Sequence, residues 1–251
     1  MITNTESGTR VDEIAHGIYR ISTPVPPQAI PGGFSFNRYL VVDDEPLLFH
    51  TGPRGMFALT MEAINAVMPI AKLRHVALSH VEADECGALN DILRAAPEAS
   101  PLCSVTAAMV QMNDLADRAP RAMKDGERLS IGSRSVRWID APHVPHNWET
   151  GYLFDESTAT LFCGDLFTQG GHDRAPVTSD DILTWSEEFR AMEPQMGMPP
   201  SWSIGRDTRA VFEKVAATNP TMLACMHGSA WRGTNGDAAK MLMALSDRIT
   251  A

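Results

Sequence analysis

The chain has 251 residues, 44% of them hydrophobic, enough apolar material for a large core. Its formal net charge is −10 and its lysines and arginines form no long run, which argues against a nucleic-acid or anionic-membrane partner. No apolar run is long enough to cross a bilayer, and the polar start "MITNTESGTR" lacks the apolar centre of a secretory signal. The expectation is one cytoplasmic domain over residues 1–251, with residues 1–10 a flexible end.

Strand-like and helix-like stretches alternate from there. "GIYRIST" reads as a strand, and "FNRYLVVDDEPLLFHTG" as a hairpin turning at Asp43-Asp44-Glu45. "MFALTMEAINAVM" carries Leu59, Ala63, Ile64, Val67 and Met68 on one helical stripe. "LRHVALSH" is a short apolar strand, and "CGALNDILRAA" a helix after it. In the second half, "ERLSIGSRSVRWIDAP" turns at Gly132-Ser133 and "GYLFDESTATLFCGD" turns near residues 155–157. Helices follow in "DILTWSEEFRAM" and "RDTRAVFEKVAATNP", a strand in "TMLACMH", and a last helix in "GDAAKMLMALSDRI". Hairpins mixed with strand–helix units predict two mixed sheets with helices outside, a four-layer αββα sandwich. Cys86, Cys103, Cys163 and Cys225 are widely spaced with no CxxC pair, and read as small buried hydrophobes.

Four strand-like runs end in ligand-type residues. "HVALSH" ends in His80, with Glu82 and Asp84 following. "SVRWIDAPH" leads to His143 and His146, "TATLFCGD" to Asp165, and "TMLACMH" to His227. Loops at strand ends are where layered α/β proteins hold chemistry rigidly. Positions 80, 82 and 84 point the same way along an extended backbone. Gly87 is expected to free the backbone for a turn into the next helix. The first stretch by itself leaves a metal site and a solvated acidic loop equally open; four such strand ends favour a shared site.

The motif "HVEADECG" resembles the H-x-E-x-D-H signature of flavodiiron proteins, a branch of the metallo-β-lactamase fold, and "LFCGDLF" and "HGSAWR" match in order. The resemblance implies a metallo-β-lactamase-like αββα sandwich with two iron ions. His80, Glu82 and a middle-loop histidine would hold the first ion, Asp84 and His227 the second, and Asp165 would bridge them. The middle histidine is His146 by spacing from Asp165, with His143 as a substitute or supporting group. Two positions depart from the pattern. Glu85 stands where the family places His, and could bind metal, move a proton as a catalytic group, or face solvent. His50 stands where the fold commonly places Asp, and is expected to support the loops through hydrogen bonds.

Hydrolytic members of the fold carry H-x-H-x-D-H, so Glu82 and Glu85 exchange imidazoles for hard anionic oxygens, which suit iron. The resemblance thus implies binding or reduction of dioxygen or nitric oxide, with electrons from an external donor, no FMN site in this chain, and a possible homodimer. The competing readings are a zinc, manganese or iron metallo-hydrolase and a metal-free binding module. "MEPQMGMPPSW", Met192 to Trp202, is either a lid or a core-facing connection, the latter favoured. Trp148 is expected near the site, and His172 on a surface loop.

Overall fold

The computed structural model describes residues 1–250. Its first sheet runs in the order β1 (Arg10–Ala15), β2 (Ile18–Val25), β3 (Phe34–Val41), β4 (Leu47–Phe49), β5 (His75–Ala77), β6 (Ser100–Ser104) and β7 (Arg121–Met123). The second sheet comprises β8 (Arg128–Ser130), β9 (Ser135–Asp140), β10 (Gly151–Asp155), β11 (Thr160–Gly164), β12 (Val177–Thr178), β13 (Met222–Cys225) and β14 (Ala230–Arg232). Its spatial order is β12-β14-β13-β11-β10-β9-β8. The three expected hairpins are present as β3–β4, β8–β9 and β10–β11, all antiparallel. β4, β5, β6 and β7 pair in parallel, as do β11 and β13, so helices or loops carry the chain between them.

Three apolar clusters correspond to the three interfaces of a four-layer sandwich. Tyr39, Phe49, Trp138, Leu153 and Phe162 fill the space between the sheets. Ile64 of the helix Phe57–Asn65 and Leu93 of the helix Leu89–Ala95 pack on the outer face of the first sheet with Val76 and Leu40. Leu183, Phe212 and Leu242, from the helices Ile182–Arg190, Thr208–Ala216 and Asp237–Thr250, cover the second with Tyr152 and Cys163. The expected αββα architecture is therefore the one observed. Central strands such as β10 and β11 are buried at every residue, because both faces are covered.

Some elements escaped the sequence reading. β1, β6, β7, β12 and β14 have no counterpart among the expected strands. Residues 1–10 lie along β1 through an Ile2–Arg10 bridge and a bond from the Met1 amine to the Val11 carbonyl. No described helix is long and apolar enough to cross a membrane. Cys103, Cys163 and Cys225 are buried and Cys86 is half-buried, all as free thiols.

Polar tethers join the sheets where the ligand loops emerge. Asn37 donates from Nδ2 to the carbonyls of Cys225 and Gly228, both at 2.9 Å. The Tyr39 hydroxyl donates to the Cys225 carbonyl at 2.6 Å, and Arg20 to that of Gly228 at 2.6 Å. The first sheet thus fixes the loop after β13, where His227 sits.

Candidate metal centre

Five segments deliver the cluster. His80 follows β5 by three residues and is buried. Glu82 is extended (φ −136°, ψ 161°) and caps the short helix Ala83–Cys86, which carries Asp84 and Glu85. His146 comes from the loop after β9, Asp165 from the residue after β11, and His227 from the loop after β13. Gly87 has ordinary helical angles (φ −59°, ψ −33°), so the turn expected there is not its role. A Cβ at Gly87 would lie 2.9 Å from the Arg54 amide nitrogen, so close backbone approach is what requires glycine.

The donor atoms converge in two groups. His80, Glu82, His146 and Asp165 form the first; Asp84, Glu85 and His227 form the second; within each, the candidate donor atoms lie within 4.8 Å of one another. His146 Nε2 is 3.0 Å from His80 Nε2 and 3.1 Å from Glu82 Oε2. Asp165 faces both groups. Its Oδ2 is 3.5 Å from His80 Nε2 and 3.9 Å from His146 Nε2, and its Oδ1 is 3.3 Å from His227 Nε2. His227 Nε2 is also 3.3 Å from Asp84 Oδ2.

Proton placement tests whether a cation fits. A carbonyl oxygen can only accept, so His146 Nδ1 carries hydrogen toward the Ser201 carbonyl at 3.0 Å, and His227 Nδ1 toward the Ser35 carbonyl at 2.9 Å. In the neutral rings, Nε2 then presents its lone pair to carboxylate oxygens, an arrangement that a shared cation stabilises. Glu85 sharpens the point. It is fully buried, and neither carboxylate oxygen has a hydrogen-bond partner. A buried carboxylate without partners is costly unless a proton or metal neutralises it.

The electrostatics agree. Burial, with Asp165 and Asp84 nearby, pushes the Glu85 carboxyl well above its usual range. Burial alone would lower His227, but Asp165 and Asp84 push it up to about 10. Contact with the His146 and His80 rings, which supply the positive partner when no metal does, holds Glu82 down to about 2. Each shift expresses cation-seeking carboxylates gathered away from water. The donor set of three imidazoles and four carboxylates suits two ions of borderline hardness.

The other expected site residues lie elsewhere. His143 is exposed, in a left-handed conformation (φ 61°), with its N–H bonded to the Asn147 carbonyl. His50 is buried outside both groups. Its Nε2 accepts from the Ser79 amide at 3.3 Å and lies 2.9 Å from Ser79 Oγ, which in turn lies 2.9 Å from His80 Nδ1. The amide can only donate, so His50 is protonated on Nδ1, which points at Met226 Sδ 3.0 Å away. Burial pushes His50 down to about 3, so it is neutral at physiological pH. A Ser79–His50 pair therefore buttresses His80. Glu85 does not face solvent, and His172 does. Trp148 is 55% exposed and does not line the cavity.

Sequence reasoning missed the supporting residues. Ser79, next to His80, was the one with a readable signal. Glu149, buried, accepts from the Val81 amide at 3.1 Å and anchors the His80 loop to the His146 loop. Ser35 and Ser201 act through backbone carbonyls, which carry no sequence signal. The Met192–Trp202 stretch, favoured as a core-facing connection, instead walls a cavity of about 720 Å³ above the cluster.

Comparison with known proteins gives a consistent picture. A family described as "ODP family beta lactamase" matches residues 34–228. "Putative diflavin flavoprotein A 2" of Nostoc sp. is 26% identical over 185 residues, covering 73% of this chain and 30% of that protein. A "Nitric oxide reductase" of Moorella thermoacetica is 28% identical over 151 residues, covering 59% of this chain and 37% of that protein. The solved rubredoxin oxygen:oxidoreductase of Desulfovibrio gigas superimposes with a TM-score of 0.77 at 19% identity, covering 95% of this chain and 62% of that one. The chain thus spans about a third of the length of these curated relatives.

Proposed function

The chain belongs to the ODP beta-lactamase family, in the flavodiiron branch of the metallo-β-lactamase fold, and we propose that its cluster holds two iron ions to bind or reduce dioxygen or nitric oxide. The observation that carries this reading is Asp165, which turns one oxygen toward each donor group. When bound, the iron pair supplies electrons and open coordination positions to a diatomic ligand.

The chain's own residues would divide the remaining work. His80, Glu82 and His146 hold the first position, and Asp84, Glu85 and His227 the second. With Nδ1–H donated to the carbonyls of Ser201 and Ser35, the neutral rings of His146 and His227 aim Nε2 inward, where a cation would take the place of the proton. Phe34 stacks on His227 with ring centroids 4.2 Å apart, which excludes water from one side of that ligand. Four carboxylates in place of the more histidine-rich hydrolytic set favour a redox-active metal, because anionic oxygen stabilises its higher charge. Electrons would come from a donor that docks from outside the described residues. Names of the relatives, a nitric oxide reductase and an oxygen:oxidoreductase, accord with this chemistry.

The deciding experiment is elemental analysis of protein purified without chelator, with its visible spectrum in air. Two irons per chain with a ferric charge-transfer band are expected. Two zincs per chain with turnover of an ester substrate would overturn the proposal in favour of hydrolysis.

A further inference from the structure

The cavity above the cluster is far larger than a diatomic ligand needs. It measures about 720 Å³, against roughly 30 Å³ for one molecule of liquid water. Sites for organic ligands run from about 300 to 1,000 Å³. Its wall is aromatic and aliphatic, with Phe34, Phe189, Trp202 and Met198 among the lining residues. Phe34 stacks on Phe189 with centroids 5.2 Å apart and on His227 at 4.2 Å, a run of rings along the cavity.

One cation stands in that wall. Arg190 donates from Nη1 to Ser186 Oγ at 2.7 Å and lies over the Trp202 ring, 5.8 Å from its centroid. It forms no ion pair among the described residues. The two acids whose charge it feels are Glu187 and Glu193, the latter lining the same cavity, and neither pairs with it. Glu187 pairs with Arg248, and Glu193 accepts from the Ser201 amide and hydroxyl. A guanidinium that is partly desolvated, set over one aromatic ring and left with free N–H groups is suited to a carboxylate.

We propose that this cavity is the binding site of an aromatic carboxylate, its ring against the Phe34–Phe189 and Trp202 walls and its carboxylate on Arg190. The ligand would share the space with the diatomic or control access to it. The inference rests on the proposed metal centre for the floor of the cavity and for Phe34, which stacks on His227; Phe189, Trp202 and Arg190 stand apart from it.

Calorimetric titration of the purified full chain with 2-naphthoate, and with neutral 2-naphthamide, tests this, with metal content measured on the same samples. One saturable site per chain is expected, binding the acid about tenfold more tightly than the amide. Arg190→Gln should bring the acid down to the affinity of the amide while metal content stays unchanged, and Arg190→Lys should keep most of the preference. Should Arg190→Gln fail to fold, the acid–amide comparison on the native chain still decides. Absence of saturable binding, equal affinity for acid and amide, or an unaltered preference in Arg190→Gln would overturn the inference; the last would place the carboxylate on the metals. Naphthoate binding by a chain that holds no iron would leave this inference standing and remove the di-iron proposal.

Discussion

Replacing Asp165 with Asn isolates the charge that the two donor groups share. The side chain keeps its shape and one oxygen, but loses the negative charge and gains an amide N–H₂. In the native chain one oxygen faces His227 at 3.3 Å and the other faces His80 at 3.5 Å. The amide must therefore turn hydrogens toward one of the groups. A unit charge about 4 Å from another is worth about 4 kcal/mol at the effective dielectric of a protein site. With about 1.4 kcal/mol per tenfold change in affinity, the second ion should bind about a thousandfold more weakly. Competition against a chelator of known affinity, with metal counted by mass spectrometry, reads this directly. Asp165→Asn is expected to keep no more than one ion per chain at chelator concentrations that leave two on the native protein. Two ions held at native affinity would refute the shared-carboxylate reasoning, and circular dichroism would establish that the variant is folded.

His146→Ala should lose an ion while His143→Ala keeps both, because only His146 reaches the cluster; metal counting on the two variants checks this, and the reverse pattern would sink the assignment. Ser79→Ala removes the hydroxyl between His50 and His80, so metal affinity should fall about ten- to a hundredfold, and chemical denaturation should show a loss of about 1–3 kcal/mol for the unpaired buried His80 Nδ1, His50 Nε2 keeping the backbone amide. Asp43 joins the turns of the two sheets by accepting from the Ser133 amide at 3.1 Å and the Arg134 amide at 2.9 Å. Asp43→Ala should cost about 2 kcal/mol at neutral pH. Burial opposes ionisation of Asp43, but the N–H groups of Ser133, Asp44 and Arg134 hold its carboxyl below the usual range. Its contribution is therefore full above the ordinary carboxylate pKa of about 3.9 and is lost as pH falls through the lower folded value. The gap between the native chain and Asp43→Ala should close in acid; a gap that widens below pH 4 would contradict the sign.

Local sequence determined the three hairpins and the kinds of donor at the strand ends. Two-residue periodicity and turn residues such as Gly132-Ser133 act over a few positions, so they are legible without the fold. The extended backbone expected through positions 80, 82 and 84 reaches only Glu82, because Asp84 already lies in the helix Ala83–Cys86. Tertiary structure alone decided the rest. His143 and His146 are chemically alike and three residues apart, and the loop's bond from His143 to Asn147, with the Ser201 carbonyl 55 residues away, selects the one that turns inward. For Glu85 the sequence leaves metal binding, proton transfer and solvent open, and the short helix removes the last by burying it beside Asp84 and His227. The His227 tautomer depends on the Ser35 carbonyl, across 192 residues of chain. Such choices rest on backbone groups common to every residue, brought together only when the two sheets pack, and so no local pattern in the sequence records them.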